Sequence, residues 1–223
     1  MHRRILLDIG NTNTKWRFEG KSFILPSQEF EFDKLPNSEK IFASIVSQRV
    51  FDTSIKCVTY VESQKNYKSL INAYHEPKSL GSDRWLAMIA CYEFSQNSSF
   101  ITIDIGTAVT IDLVNHSGNH LGGLIFPGLK KITECFNDFP ISTYKNIDNM
   151  GISTAEAWTT GTFGLLVNGI NQKIKELKAN FPDALVFLTG GGYLEIKDFL
   201  EFEHIYQENL VLDGLEFFAN NMG

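Results

Sequence analysis

A short pattern occurs twice in this chain, and its recurrence constrains the fold more than any single element does. Arg3-Arg4-Ile5-Leu6-Leu7-Asp8-Ile9-Gly10 is an apolar segment ending in Asp, an apolar residue and Gly. Ser99-Phe100-Ile101-Thr102-Ile103-Asp104-Ile105-Gly106 repeats it, with the two Asp residues 96 positions apart. Each reads as a buried strand running into a glycine turn. A segment alternating with period two follows in both places, Thr14 to Glu19 and Thr110 to Val114. Two halves built on one plan imply an α/β chain made of a duplicated domain with a cleft between the copies. No linker or low-complexity tract intervenes, so the expected division is compact: 1–95 and 96–223.

Other elements follow from local signals. Gly20-Lys21 is a turn from which Ser22 to Leu25 continues a meander, and further strands are expected at Ile41–Val46 and Ile55–Tyr60. Ser82–Phe94 has helical spacing, with Trp85, Met88, Ile89 and Tyr92 on one side and Ser82 where an N-cap would stand. A strand at His120–Phe126 leads to a helix opening at Pro127. The strongest helix runs from Thr154 to Ala179 behind the capping box Ser153-Thr154-Ala155-Glu156. A strand at Ala184–Leu188 enters Thr189-Gly190-Gly191-Gly192, and Leu212–Asn220 is helical.

Composition excludes several classes. In 223 residues, 43% are hydrophobic and 21% charged, which is wrong for disorder. No apolar run is long enough to cross a bilayer, and the stretch after Met1-His2-Arg3-Arg4 stops at Asp8, too early for a signal peptide. Both observations point to the cytoplasm and away from a membrane partner. The net charge of −6, without a Lys/Arg cluster, argues against nucleic acid. Cys57, Cys91 and Cys135 are too sparse and scattered for a disulfide framework or a structural zinc site. The histidines His2, His75, His116, His120 and His204 lack metal-ligand spacing and are expected at the surface. There is no GxGxxG, and Gly123 and Gly128 are followed by Leu129-Lys130 instead of the Lys-Ser/Thr of a P-loop. Hydrolase, metalloprotease and protein-kinase signatures are missing as well.

The two Asp-x-Gly turns are the leading chemical feature. Glycine lets a phosphate approach backbone amides, and the Asp can hold hydrated Mg²⁺ or another cation, with Asn11, Thr12 and Thr107 as further polar partners. A single copy would read first as a hairpin with an Asx turn; two copies in one context favour the phosphate reading. In Gly81-Ser82-Asp83-Arg84, Asp83 is either an acid favoured by a helix dipole or the base for an attacking hydroxyl. Arg84 is correspondingly a solvated neighbour or a binder of anionic charge. Gly122 to Gly128 offers close backbone approach or turn chemistry. Thr189-Gly190-Gly191-Gly192 would let a flat ring such as adenosine lie on backbone.

Taken in order, these segments resemble the type III pantothenate kinase family, within the acetate and sugar kinase/Hsp70/actin superfamily. Asp8 to Lys15 is similar to its DxGNTxxK motif, Gly81-Ser82-Asp83-Arg84 to GxDR, and Asp104 to Asp112 to DxGTAxTxD. Gly122 to Gly128 resembles GGxIxPG, Thr154-Ala155-Glu156-Ala157 with Gly161 resembles TxxAxxxG, and Thr189-Gly190-Gly191 resembles TGG. The match spans Asp8 to Gly192, while Pro140 to Gly151 fits no motif of the family.

The resemblance implies two ribonuclease-H-like, actin-like domains and ATP-dependent phosphorylation of pantothenate to 4′-phosphopantothenate, the first step of coenzyme A biosynthesis. Asp83 would be the catalytic base. Tyr74, Gly81, Ser82, Asp83, Arg84 and Thr154 would line the pantothenate pocket. Asp8, Ile9, Gly10, Asn11, Thr12, Asn13, Thr14, Lys15 and Thr107 would contact ATP, and Asp104 a monovalent cation, K⁺ or NH₄⁺. Mg²⁺ accompanies ATP, and the family acts as a homodimer whose substrate pocket is shared between subunits. Two rival readings are another kinase or a polyphosphate phosphatase of the superfamily, and a non-catalytic accessory protein descended from the kinase. The GxDR segment with Tyr74 speaks against the first, and intact Asp8, Asp83 and Asp104 against the second.

Overall fold

A computed structural model of the protein describes residues 3–46, 57–136, 138–142, 147 and 149–222. Two five-stranded sheets repeat one order. In the first, β1 (Arg4–Ile9), β2 (Asn13–Phe18), β3 (Lys21–Pro26), β4 (Lys40–Ile45) and β5 (Val58–Tyr60) are arranged β3-β2-β1-β4-β5. A small hairpin, β6 (Asn66–Tyr67) with β7 (Leu70–Ile71), precedes helix α1 (Ser82–Ser95). The second sheet uses β8 (Phe100–Ile105), β9 (Ala108–Val114), β10 (His120–Pro127), β11 (Leu185–Thr189) and β12 (Ile205–Tyr206) in the equivalent order β10-β9-β8-β11-β12. The remaining helices are α2 (Leu129–Thr133), α3 (Thr154–Asn180), α4 (Tyr193–Ile196) and α5 (Leu210–Met222). The duplicated α/β plan inferred from the repeated turn is thus present as two sheets of matching order.

Hydrophobic patterning explains the first sheet. β1 is apolar on both faces: Ile5, Leu7 and Ile9 have no exposed surface, and Leu6 has 3%. A strand covered on both sides reads as a continuous apolar run. It pairs antiparallel with β2 and parallel with β4. β2 alternates, sending Thr14 and Trp16 inward and leaving Lys15 and Arg17 half-buried. Trp16 and Phe30 join Ile5, Leu7, Ile9, Ile41 and Ala43 in one core.

Several sequence expectations shift by a residue or two. The strand expected at Ile55–Tyr60 is β5 from Val58; residues 55 and 56 lie outside the described ones. Ser82 is not the N-cap of α1: Gly81 is, and the Ser82 hydroxyl is engaged with Ser44 at 2.9 Å. Pro127 does not open a helix, because β10 runs through it and α2 begins at Leu129. The capping box holds on one side, where Ser153 Oγ accepts from Glu156 N. Its return arm lands one residue early, with Glu156 Oε2 accepting from Ile152 N at 3.0 Å. The short strands β6, β7 and β12 had no sequence signal that separated them from loop.

Contacts divide the chain into two compact units, one of residues 1–100, 112–122 and 209–223, the other of 101–111 and 123–208. A cut between 95 and 96 describes the repeat of the sequence, whereas the compact units interleave along it. The interleaving has a local cause in the first unit, where α5 packs on α1. Arg17 on β2 donates to Asp213 at 2.7 Å and Glu216 at 2.8 Å, tying α5 to the first sheet. Gly214 allows the helices to touch, since a Cβ there would lie 2.0 Å from the Leu86 carbonyl oxygen. Backbone cannot yield as a side chain tip would, so Gly214→Ala must separate α5 from α1. The expected cost is at least ~2 kcal/mol, within the overpacking range, read as a lower urea midpoint with an unchanged slope.

Candidate active site

The first Asp-x-Gly turn is built where β1 hands over to β2. Gly10 N donates to Asn13 O at 3.1 Å, closing a tight reversal that leaves Asn11, Thr12 and Asn13 exposed. Ser27, just beyond β3, braces this loop: its N–H donates to Thr12 O at 2.8 Å and its Oγ to Gly10 O at 2.7 Å. Thr14 Oγ1 lies 3.0 Å from the same hydroxyl, so Thr14 is buried support of the turn. Asp8 stands opposite Ser44 in the parallel register of β1 and β4. Paired positions share a face of the sheet. The Ser44 hydroxyl meets that of Ser82, so Asp8 and the start of α1 are brought to the same place.

At that helix start the Asp83 carboxylate folds back over the first turn. Its Oδ1 accepts from Arg84 N at 2.8 Å, and a Cβ at Gly81 would lie 2.5 Å from Oδ1. A side chain at Gly81 would therefore push the Asp83 carboxylate out of this position. Burial lifts the Asp83 pKa above the usual carboxylate range; the Arg84 amide and guanidinium pull it down, and the charge of Asp112 pushes it up again. The net shift is upward.

Arg84 is buried with its charge compensated. Nε donates to Asp112 Oδ2 at 2.9 Å and Nη2 to Oδ1 at 2.6 Å, a two-pronged pair with side-chain exposures of 6% and 2%. Nη1 donates to Tyr74 Oη at 2.9 Å, and the guanidinium lies 5.7 Å from the centre of the Tyr74 ring. Burial opposes the charge of Arg84, but the bonds and charge of Asp112 outweigh it and leave its pKa above the ordinary value. The solvated-neighbour reading of Arg84 is thereby excluded. His120 corrects another expectation: only 3% exposed, it places Nε2 3.0 Å from Asp112 Oδ1.

In the second unit the equivalent turn is smaller. Gly106 N donates to Ala108 O at 3.0 Å, and Gly128 N to Thr107 O at 3.0 Å. A Cβ on Gly128 would stand 2.2 Å from Gly106 O, so the Pro-Gly step after β10 gives close approach to the turn. Asp104 is half-buried beneath Gly190, whose φ is +100°. A Cβ there would meet both Asp104 Oδ1 and Ile105 O at 2.4 Å. Gly192 N donates to Ile105 O at 2.8 Å, so the TGG segment is laced to the end of β8. Thr154 is exposed at the first turn of α3.

Within the first unit the structure gathers Asp8, Gly10, Thr14, Tyr74 and Gly81 to Arg84; within the second, Asp104, Thr107 and Gly190. Sequence reading missed Ser27, Ser44 and His120, and gave Asp112 no role. Asp112 did carry a signal: a carboxylate inside the apolar run Ile111-Asp112-Leu113-Val114 needs a buried partner.

Comparisons with known proteins identify the family. The family model described as type III pantothenate kinase matches residues 25–176. The type III pantothenate kinase of Hahella chejuensis is 32% identical over 96% of each chain. That of Alcanivorax borkumensis is 30% identical over 95% of this chain and 96% of its own. Among solved structures, a conserved Baf family protein from Campylobacter jejuni superposes with a TM-score of 0.69 at 26% identity, covering 98% of each chain. The activator of 2-hydroxyisocaproyl-CoA dehydratase from Clostridium difficile, with bound ADPNP, matches at TM-score 0.52 and 10% identity over 100% of this chain and 95% of its own, a likeness of fold alone. With two actin-like sheets, an Asp-x-Gly turn in each and the Asp83-Arg84 helix start between a buried Asp112 and Tyr74, the chain belongs to the type III pantothenate kinase family.

Proposed function

We propose that the chain transfers the γ-phosphoryl group of ATP to the primary hydroxyl of pantothenate, giving 4′-phosphopantothenate for coenzyme A biosynthesis, with Asp83 as general base. The observation that carries the assignment is Asp83 itself: a desolvated carboxylate of raised pKa, held at a helix start beside a compensated Arg84 and the tethered strand of Asp8. The hydroxyl oxygen forms the new bond to phosphorus while the bridging P–O bond breaks and ADP leaves with the electron pair. Asp83 takes the hydroxyl proton, late in a loose transition state. Asp8 to Lys15 and Thr107 flank the nucleotide phosphates. Because Gly10 N–H is committed to Asn13 O and Gly106 N–H to Ala108 O, phosphate contact falls to the residues after each glycine. Tyr74, Gly81, Ser82, Arg84 and Thr154 line the acceptor pocket.

Mg²⁺ arrives with ATP, and Asp8 is the carboxylate at the first turn. Asp104, half-buried at the end of β8, is the carboxylate of the second turn. As an oxygen ligand it would hold K⁺ or NH₄⁺, supplying positive charge beside the phosphates. Dependence on ATP places the reaction in the cytoplasm. A homodimer is supported by large apolar side chains left exposed in the second unit, among them Ile125 at 63%, Ile141 at 65% and Leu165 at 69%.

The first test is ADP release with pantothenate as acceptor, in K⁺ and then in Na⁺ alone. Pantothenate-dependent, K⁺-stimulated turnover is expected, falling at least about 100-fold in Asp83→Asn, the lower end for loss of a general base; Asp104→Asn loses the K⁺ stimulation. Turnover independent of pantothenate, or none from folded protein, sinks the assignment.

The raised pKa of Asp83 gives a second test. A carboxyl held above its ordinary value binds its proton more tightly folded than unfolded. The associated stability is present below the ordinary Asp pKa of about 3.9 and lost as pH rises through the folded value. Asp83→Asn should therefore raise Tm at neutral pH, with the gain fading towards pH ~4. The acid limb of kcat/KM should lie above the ordinary Asp range. A neutral-pH Tm below that of the unsubstituted protein would contradict the desolvation.

A shared pocket predicts complementation. Inactive Tyr74 and Thr154 variants, mixed and allowed to exchange subunits, should recover activity, because one pocket of each mixed dimer regains both side chains. No recovery despite exchange would place both residues in pockets of single subunits.

A further inference from the structure

The ion pair of Arg84 with Asp112 does not end at Asp112. Ala73 N donates to His120 Nδ1 at 3.4 Å, which makes Nδ1 the acceptor and leaves the proton on Nε2. Nε2–H then donates to Asp112 Oδ1 at 3.0 Å, the oxygen that also receives Arg84 Nη2. The His120 side chain has no exposed surface, so it has no contact with solvent or substrate of its own. Its ring lies nearly parallel to that of Tyr74, at 13° and 6.1 Å between centroids. The Tyr74 backbone is held by Asn72, whose Oδ1 accepts from Tyr74 N at 3.0 Å. His120 thus touches both arms of one unit: it aims the carboxylate that holds Arg84, and it backs the ring whose hydroxyl Arg84 holds.

We propose that His120 is a positioning residue for the acceptor site, setting through Asp112 the direction of Arg84 and through Arg84 that of the Tyr74 hydroxyl. Three guanidinium N–H groups are committed to Asp112 and Tyr74. One on each terminal nitrogen is left to meet the acceptor. Their direction follows the plane of Asp112, because a two-pronged pair is planar. Without Nε2–H the carboxylate plane is held by Arg84 alone and can turn with it. The effect falls on the acceptor side, since the phosphate turns are braced by other residues, Ser27 for the first and Gly128 for the second.

The inference rests on the assignment of Tyr74 and Arg84 to the acceptor pocket, and the experiment separates the two. Steady-state kinetics would be measured with pantothenate and ATP varied in turn for His120→Phe, His120→Gln and Asp83→Asn. The Phe variant keeps a ring against Tyr74 but removes the donor. Its KM for pantothenate should rise about tenfold, the loss expected for a buried hydrogen bond to a charged group, while KM for ATP stays within twofold or so of the unsubstituted value. Gln presents an amide N–H at the reach of Nε2 and should recover most of the loss. Should the Phe variant fail to fold, His120→Asn, whose shorter amide stops short of Asp112, should show the same selective rise. An unchanged pantothenate KM in the donor-less variants, an equal rise for ATP, or a Gln variant no better than Phe would each overturn the role of His120. If Asp83→Asn keeps turnover, the pocket assignment itself is wrong; if it is dead while His120→Phe behaves as the unsubstituted enzyme, only the inference about His120 falls.

Discussion

Arg84 carries a permanent charge into the interior of the first unit, and the arrangement around it depends on Asp112 receiving that charge. An unpaired guanidinium there would lose its hydration without compensation. Breaking one side of such a pair costs about 3–5 kcal/mol. The two-pronged contact and the His120 and Tyr74 bonds satisfy both partners, so the pair is tolerated at 6% and 2% exposure. The pair need not add stability over an apolar replacement; what it gives is orientation. Arg84 is fixed as the neighbour of Asp83, and the Asp112 charge on its far side contributes to lifting the Asp83 pKa.

The same point is reached from the first sheet. Asp8 lies in register with Ser44, and Ser44 binds Ser82, one residue from Asp83. The first Asp-x-Gly turn and the start of α1 are thereby joined through the register of β1 with β4 and one hydroxyl pair. On the helix side, α1 is held by α5, which approaches closely because Gly214 has no side chain and is anchored by Arg17 to β2. Arg17 belongs to the alternating segment that the sequence offered only as a strand face. Its half-buried position and two acidic partners make it the link between sheet and helix layer.

What could be read in the sequence followed from strong local patterns. The paired Asp-x-Gly turns, the apolar run of β1 and the capping box of α3 each carry a signal stronger than competing conformations, and the structure has all of them. The GxDR segment could be located but not resolved, because Asp83 and Arg84 at a helix start suit a dipole interaction as well as a catalytic one. Excluding a solvated Arg84 needed its burial and the distance to Asp112, a contact across 28 residues of chain that no local pattern encodes. Ser27, Ser44 and His120 were invisible for a related reason. A serine or histidine has no preferred surroundings in sequence, and their roles come from partners brought by the strand register.

The two Asp-x-Gly turns share a motif but not a geometry. The first spans three residues between β1 and β2 and exposes Asn11 and Thr12; the second spans two between β8 and β9 and is covered by Gly128. A longer loop braced from below by Ser27 offers side-chain amide and hydroxyl groups towards a ligand. The shorter one is closed by Gly128, and Gly190 packs tightly against Asp104 and Ile105 O beside it. Duplication thus supplied one backbone solution twice, and the copies differ in what secures them: a serine hydroxyl holds the longer loop from its carbonyl side, while a side-chain-free glycine lets the chain close directly over the shorter one.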